Sequence, residues 1–430
     1  MSPLARLPYS VSKWVDPFIL CATTLVAYWA FSRAAISNLV LAAAIVVAVA
    51  SAMTLFEWVR LPVVARRQPL SKIFSHSATT WLGTLAGLAL TCALWGTLAI
   101  YRDAYYAPFF DILPLILIAA PLLSAIFILA ADNLLGPSVQ GGYQLGLFVL
   151  GRTREVNWHL VRDNLLMWLL RGFFLPINFC ELVRAMGVFR GHELSLLQGS
   201  WPAAEYYVLV MIYALIIAAV TPGYLFGARL IGTETKAVSS TWFAWVVTLA
   251  CYAPFEVVVF KNWFNYNPAA ASPAWFQPWV QHLQHLPAVL ETVGGAIILF
   301  ALIHLWAEAQ FGLRSSNISN RGIITTGAYR FCKHPVYATK CAVWFLIWLP
   351  FVSGVTVFDS LRLTFLFACV CGIYALRALA EEKLLSADPD YVAYALWIDE
   401  HGAFKFLGSL FPPLRFAWRL AYWQKHPTST

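Results

Sequence analysis

The chain has 430 residues, of which 60% are hydrophobic and 12% charged. A soluble domain carries about 25% charged residues, so these proportions exclude an ordinary water-soluble enzyme and predict an all-α, polytopic integral membrane protein. The formal net charge of +8 would suit nucleic acid in a soluble protein. Here it fits Lys and Arg gathered in cytoplasmic loops and against anionic membrane lipids, and nothing else in the chain favours nucleic acid.

Met1 to Val15 is polar and basic, with no small-residue cleavage site after it, so the first apolar run reads as a retained span. Apolar runs predict spans at Pro17–Phe31, Ile36–Val59, Thr79–Ile100, Pro108–Ala130, Glu205–Phe226, Ser240–Phe260, Leu286–Ala307, Cys341–Phe358 and Leu363–Ala380. A break is expected near Pro222-Gly223. The stretch from Ala131 to Ser200 is ambiguous, and charge bias arbitrates it. Arg60, Arg66, Arg67 and Lys72 place one loop in the cytoplasm. Arg314, Arg321, Arg330, Lys333 and Lys340 place a second there, and the tail carries Lys405, Arg415, Arg419 and Lys425. The loop Asn262–His285 has no charged residue and suits the outer face.

Nine spans cannot satisfy these sides. A further crossing between Asp163 and Val183 repairs the parity, with Arg171 facing the bundle interior or snorkelling. A central Arg costs about 2.5–3.5 kcal/mol on insertion scales. The expectation is about ten transmembrane helices with both termini cytoplasmic; the alternative is a re-entrant segment at 160–180 and one miscounted hairpin. The membrane would be the inner (cytoplasmic) membrane of a bacterium or an endomembrane. The loop Asn262–His285 divides an N-terminal bundle of unrecognised type, residues 1–285, from a C-terminal unit, residues 286–430. In the tail, Asp388–Ala403 reads as partly helical, Pro412-Pro413 ends any helix, and Phe416–Lys425 suits the membrane surface.

The eight cysteines form no CxxC pair and read as small hydrophobes in helices. His282, His285 and His304 lack partners at a diagnostic spacing, so no metal site is predicted. Glu57, Asp111, Glu256, Glu291 and Glu308 are acids in or near spans. Asp163 and Arg171, if both are inside, could border a chamber for an acceptor.

Two polar clusters bracket an apolar hairpin. The first, Thr325 to Tyr337, packs Tyr329, Arg330, Lys333, His334 and Tyr337 together. Gly327 permits positive φ, and Pro335 suits the first turn of the next span, whose N-terminus favours anionic groups. The second runs from Arg377 to Leu385. Arg377 and Glu381 are four apart and share a helix face, while Glu382 points about 100° round. Adjacent acids at a span end could bind a cation or the hydroxyls and amine of a nucleotide-like ligand. Alone, the first cluster also reads as an ordinary positive-inside loop with interfacial tyrosines, and the second as a solvated helix end with a local ion pair.

Together, Gly-x-Tyr-Arg-x-x-Lys-His-Pro-x-Tyr, the hairpin, Arg-x-x-x-Glu-Glu-x-x-Leu and then Tyr391-x-x-Tyr394 resemble the integral-membrane methyltransferases. The nearest resemblance is to the isoprenylcysteine carboxyl methyltransferase family, with phospholipid N-methyltransferases as relatives, over Leu286 to Pro413. Lys333 stands where that family usually has Arg, and Thr339-Lys340 replaces a small-residue position. The resemblance implies methyl transfer from S-adenosylmethionine, at the cytoplasmic face, to a lipid-like or lipidated acceptor. It implies Gly327, Tyr329, His334, Pro335, Tyr337, Glu381 and Glu382 as cofactor-site residues, and Arg330, Arg377 and Glu381 as residues serving acceptor and reaction.

The chemistry of such a transfer needs positioning and exclusion of water. A carboxylate acceptor is already ionised; an ammonium, with pKa about 10.4, must first lose a proton. The family match leans toward carboxyl O-methylation, with phospholipid N-methylation as the alternative. Two other classes stand beside these. Membrane sterol reductases are similar to the C-terminal architecture but use NADPH, and typically carry Asn where this chain has Val336. A non-catalytic membrane protein could have kept the fold alone.

Overall fold

The computed structural model describes residues 7–12, 15–32, 34–60, 70–191, 201–225, 227–264, 285–353 and 356–426. Arg66, Arg67, His282 and most of the charge-free loop 262–285 lie outside these residues. The order is α1 (Val15–Ser32), α2 (Asn38–Arg60), α3 (Leu70–Thr97), α4 (Ala107–Leu135), α5 (Gly141–Val149), α6 (Trp158–Gly191) and α7 (Trp201–Leu225). After these come α8 (Trp242–Leu249), a π-helix at Val257–Phe264, α9 (Pro287–Ala309), α10 (Pro335–Trp348) and α11 (Val357–Leu385). The tail adds α12 (Pro389–His401), α13 (Lys405–Leu410) and α14 (Phe416–Lys425).

Among the described residues, eight helices are long and apolar enough to cross a membrane. In hydrocarbon each backbone N–H and C=O must be satisfied within the segment, and only a helix does so locally. The helix α2 shows the side-chain logic. Ala42, Ile45, Val46, Val49 and Met53 are buried along one stripe, while Val40, Val47, Leu55 and Val59 are exposed on the other side. That is the helical period, with one face on protein and one left for lipid.

Eight of the ten expected spans coincide with these long apolar helices, and two differ. The run Pro17–Phe31 does form a helix, but an apolar length of fewer than about 20 residues is short for a crossing. The run Ser240–Phe260 is not one helix: α8 ends at Leu249, and the π-helix starts at Val257. Pro254 lies in the interruption. It has no N–H to donate, and it biases Ala253 away from the helical region. Conversely, Pro222 does not break α7, which continues to Leu225. The ambiguous stretch resolves into short α5 and the 34-residue α6, which includes Asp163 to Val183 and is long and apolar enough to cross.

The two parts of the chain share one core. Residues of α2, α6 and α7 form a buried apolar cluster together with Ile297, Ala301, Leu305, Val343 and Ile347 from α9 and α10. Over one end of the helices lies a layer of loops. There Ala237 and Val238 pair antiparallel with Asn320 and Ser319. Arg314 donates to Glu57 at 2.6 Å, tying this layer to α2. A second cluster joins Ile323, Tyr329, Tyr391, Tyr394 and Phe416 with Leu7 and Val11. The first described residues and the last helix therefore meet on the same end of the bundle.

Candidate functional site

The second sequence cluster is carried on the last turns of α11, and the first runs into α10. Thr326 precedes a tight turn, Gly327–Arg330, in which Gly327 has φ +61°. A Cβ there would stand 2.8 Å from the Gln310 side chain, so glycine is needed for both backbone and space. The Tyr394 hydroxyl donates to the Tyr329 carbonyl at 2.7 Å and fixes the turn from α12. Burial raises the phenols of Tyr329 and Tyr394 well above their ordinary range, which keeps both neutral. Pro335 is then the first residue of α10, where no N–H is missed.

Arg377 and Glu381 meet as their spacing requires, with Nε 3.5 Å from Oε1. The Tyr337 hydroxyl donates to the same Glu381 oxygen, and an Arg377 Nη2 donates to Asn317 Oδ1. The guanidinium lies 4.7 Å over the Tyr337 ring and 5.2 Å over the Tyr252 ring. Tyr224 accepts from the Asn317 side chain at 2.7 Å, so α7 also holds this corner. These groups border a cavity of about 310 Å³ whose walls include His304, Glu308, Lys333, His334, Lys340, Tyr329 and Tyr391.

Glu382 is placed differently from its neighbour. It is 2% exposed and does not line the cavity. Its Oε1 accepts from His334 Nε2 at 3.1 Å and lies 3.5 Å from Lys333 Nζ. Its Oε2 accepts from Arg419 Nε at 3.1 Å and from Arg419 Nη2. Lys333 also reaches Asp399 at 3.1 Å. This buried knot clasps α10, α11, α12 and α14, so Glu382 holds the wall rather than touching its contents. His334 belongs to both sides: it binds Glu382, stacks on Tyr337 at 5.6 Å between centroids, and lines the cavity.

Of the residues singled out by sequence, Tyr329, His334, Tyr337, Arg377 and Glu381 come together around the cavity. Gly327 and Pro335 shape the backbone beside it. Arg330 is exposed on the turn and does not reach the cavity. Sequence reasoning did not find Asn317, Tyr224 or Tyr252 and noted Lys340 only as a loop cation and a departure from the family pattern; the four come from separate segments. Lys340 lies 5.1–5.8 Å from the rings of Trp344, Tyr374 and Tyr252. Glu308 was noted only as an acid near a span end. It faces the cavity with its Oε1 4.0 Å from His304 Nε2. The His304 Nδ1 is 3.1 Å from the Val336 carbonyl, which makes it the donor nitrogen.

The arrangement can hold a polar, partly cationic ligand. Glu381 offers a carboxylate to hydroxyls or an amine, and aromatic walls suit a cation. Compared with known protein families, curated proteins and solved structures, the chain matches none.

Proposed function

We propose that the chain is an S-adenosylmethionine-dependent methyltransferase acting in this cavity on a lipid-like or lipidated acceptor, by carboxyl O-methylation. One observation carries the reading. Two polar clusters that an apolar hairpin separates in sequence meet as Tyr337, Glu381 and Arg377 around one cavity at the ends of the spans. When bound, the sulfonium donor supplies an activated methyl group. The chain's own residues bind and orient. Glu381, fixed by Tyr337 and Arg377, would take the donor's hydroxyls or amine, and the tyrosine rings would face its positive charge. Lys340 would orient an acceptor carboxylate, which needs no base. The Lys and Arg residues of the loop layer favour a cytoplasmic position for the site.

Glu308 with His304 favours a second reading, N-methylation of an amine, because that reaction needs a proton acceptor. Product chemistry separates the two: methyl esters are released by mild base, and N-methyl groups are not. The first test is calorimetry on the detergent-purified full chain with S-adenosylmethionine, S-adenosylhomocysteine and NADPH. Micromolar binding of the first two, weakened about a hundredfold in Glu381→Gln (about 2.7 kcal/mol), is the expected result. Binding of NADPH alone would move the chain to the reductases. Binding of none by folded protein would leave a non-catalytic membrane protein.

A further inference from the structure

A larger chamber, of about 680 Å³, lies on the other side of α6. The two faces of that helix divide the space: Phe174 and Ile177 line the cavity described above, while Met167, Arg171 and Leu175 line the chamber. Most of its remaining walls are apolar and come from α2, α3 and α4, with α5, the end of α7 and the segment 227–236 completing it. Three wall residues, Val47, Leu115 and Leu123, are 64%, 61% and 46% exposed. These lie in helices long and apolar enough to cross a membrane, so in a bilayer the chamber would open sideways toward lipid.

One end of this apolar space carries charge, and the pairing there is incomplete. Asp132 accepts from Ser77 at 2.7 Å and lies 2.9 Å from His76 Nδ1 and 3.4 Å from Arg229. Asp163 is 3.2 Å from Arg162 and 3.7 Å from His159. Arg171 differs. Its guanidinium lies 5.0 Å over the Trp168 ring, and its buried Nε has no hydrogen-bond acceptor among the described residues. No described carboxylate stands within 4.0 Å of it. A Cβ on Gly227 would be 2.4 Å from Arg171 Nη2 and 3.3 Å from Arg321 Nη2, so two guanidiniums converge on this glycine. Arg321, in the loop layer, is lowered to about 9, first by burial and then by its neighbours Arg171 and Arg314.

An intramembrane cation without a counter-charge is costly, and it faces a lipid-accessible apolar space. We propose that the chamber binds a long-chain amphiphile with an oxyanion head, phosphate or carboxylate, the head on Arg171 and the chain along α2, α3 and α4. Arginine's planar fork suits both heads. Glu234 also lines the chamber, and its buried Oε2 has no hydrogen-bond partner among the described residues. It would accept from a hydroxyl or ammonium on the same head. The inference does not rest on methyl transfer.

The test is native mass spectrometry of the detergent-purified full chain with four probes: dioleoyl phosphatidate, oleate, dioleoylglycerol and oleyl alcohol. At least one anionic probe is expected to bind as a single copy, at least tenfold tighter than its uncharged counterpart. Preference for phosphatidate or for oleate identifies the head. Arg171→Gln should abolish the preference, and Arg171→Lys should keep part of it. Equal binding of charged and uncharged probes, or an undiminished preference in folded Arg171→Gln, would overturn the proposal. Should that variant not fold, Ala120→Trp fills the chamber while leaving Arg171 in place; it should expel the probe, and wild-type binding there would be equally fatal.

Discussion

The two spaces flanking α6 handle charge in opposite ways. In the cavity at the ends of α10 and α11, Arg377 is already held by Glu381, Asn317 and two rings, and Glu382 by three basic side chains. In the chamber, Arg171 has one aromatic ring and no acceptor among the described residues. The difference teaches how to read buried charge. A prepaired cluster is a preorganised wall, built before any ligand arrives. An unpaired cation in an apolar space is an unmet electrostatic demand.

The comparison breaks most readily at Arg377. Replacing it with Met leaves Glu381, partly exposed on the cavity wall, with one partner fewer, and leaves Asn317 without the guanidinium. Loss of one partner of a fully buried pair costs about 3–5 kcal/mol, an upper bound here because Glu381 is partly exposed; Arg377→Met, which also loses Asn317 and both ring contacts, should unfold at lower temperature in detergent and lose donor binding altogether. Thermal unfolding and calorimetry on one preparation check both. An intact melting temperature would mean that the pairing is not built in.

Glu382→Gln sharpens the contrast between adjacent acids. Because Glu382 holds the wall from behind, its loss should cost about 2–3 kcal/mol of stability. Donor affinity should change by only a fewfold, against about a hundredfold for Glu381→Gln. Equal affinity losses would place both carboxylates on the ligand. A smaller effect is expected for Gly327→Ala. Its positive φ and the 2.8 Å approach to Gln310 predict a loss of about 1–2 kcal/mol, measurable as a shift in the urea midpoint of the purified protein.

Much of the prepaired site was legible in sequence, because its key geometry is local. The four-residue step from Arg377 to Glu381, the rotation to Glu382, the φ of Gly327 and the position of Pro335 all follow from helix and turn rules. What was not legible is long-range. Nothing near Asn317 or Tyr252 marks them as partners of Arg377, since residues 60 or more positions away complete that corner only after folding. Glu381 and Glu382 also look equivalent in sequence; Arg419, more than thirty residues downstream, decides which one faces the cavity. Hydropathy read without backbone geometry made one continuous helix of Ser240–Phe260, which the structure interrupts at Pro254. Arg171 stood out as misplaced in a span, but that its Nε meets no acceptor among the described residues is a property of packing alone.

The smallest expected effect tests the chamber's side of the comparison. In Arg171→Met the stem volume is roughly kept and the charge removed. For a paired buried ion such a change is strongly destabilising; for an unpaired one, it removes a desolvation cost that no partner offsets. The Trp168 contact offsets part of that cost, about 0.5–2 kcal/mol for a cation over a ring. The variant, delipidated in neutral detergent, should therefore match wild type or be more stable by up to about 1 kcal/mol. Adding dioleoyl phosphatidate or oleate should reverse the order, because only the wild type gains a counter-charge, and binding adds stability in proportion to the logarithm of ligand over Kd. A melting temperature several degrees below wild type without lipid would show that Arg171 already has a strong protein partner, and the two spaces would then be alike in how they hold charge.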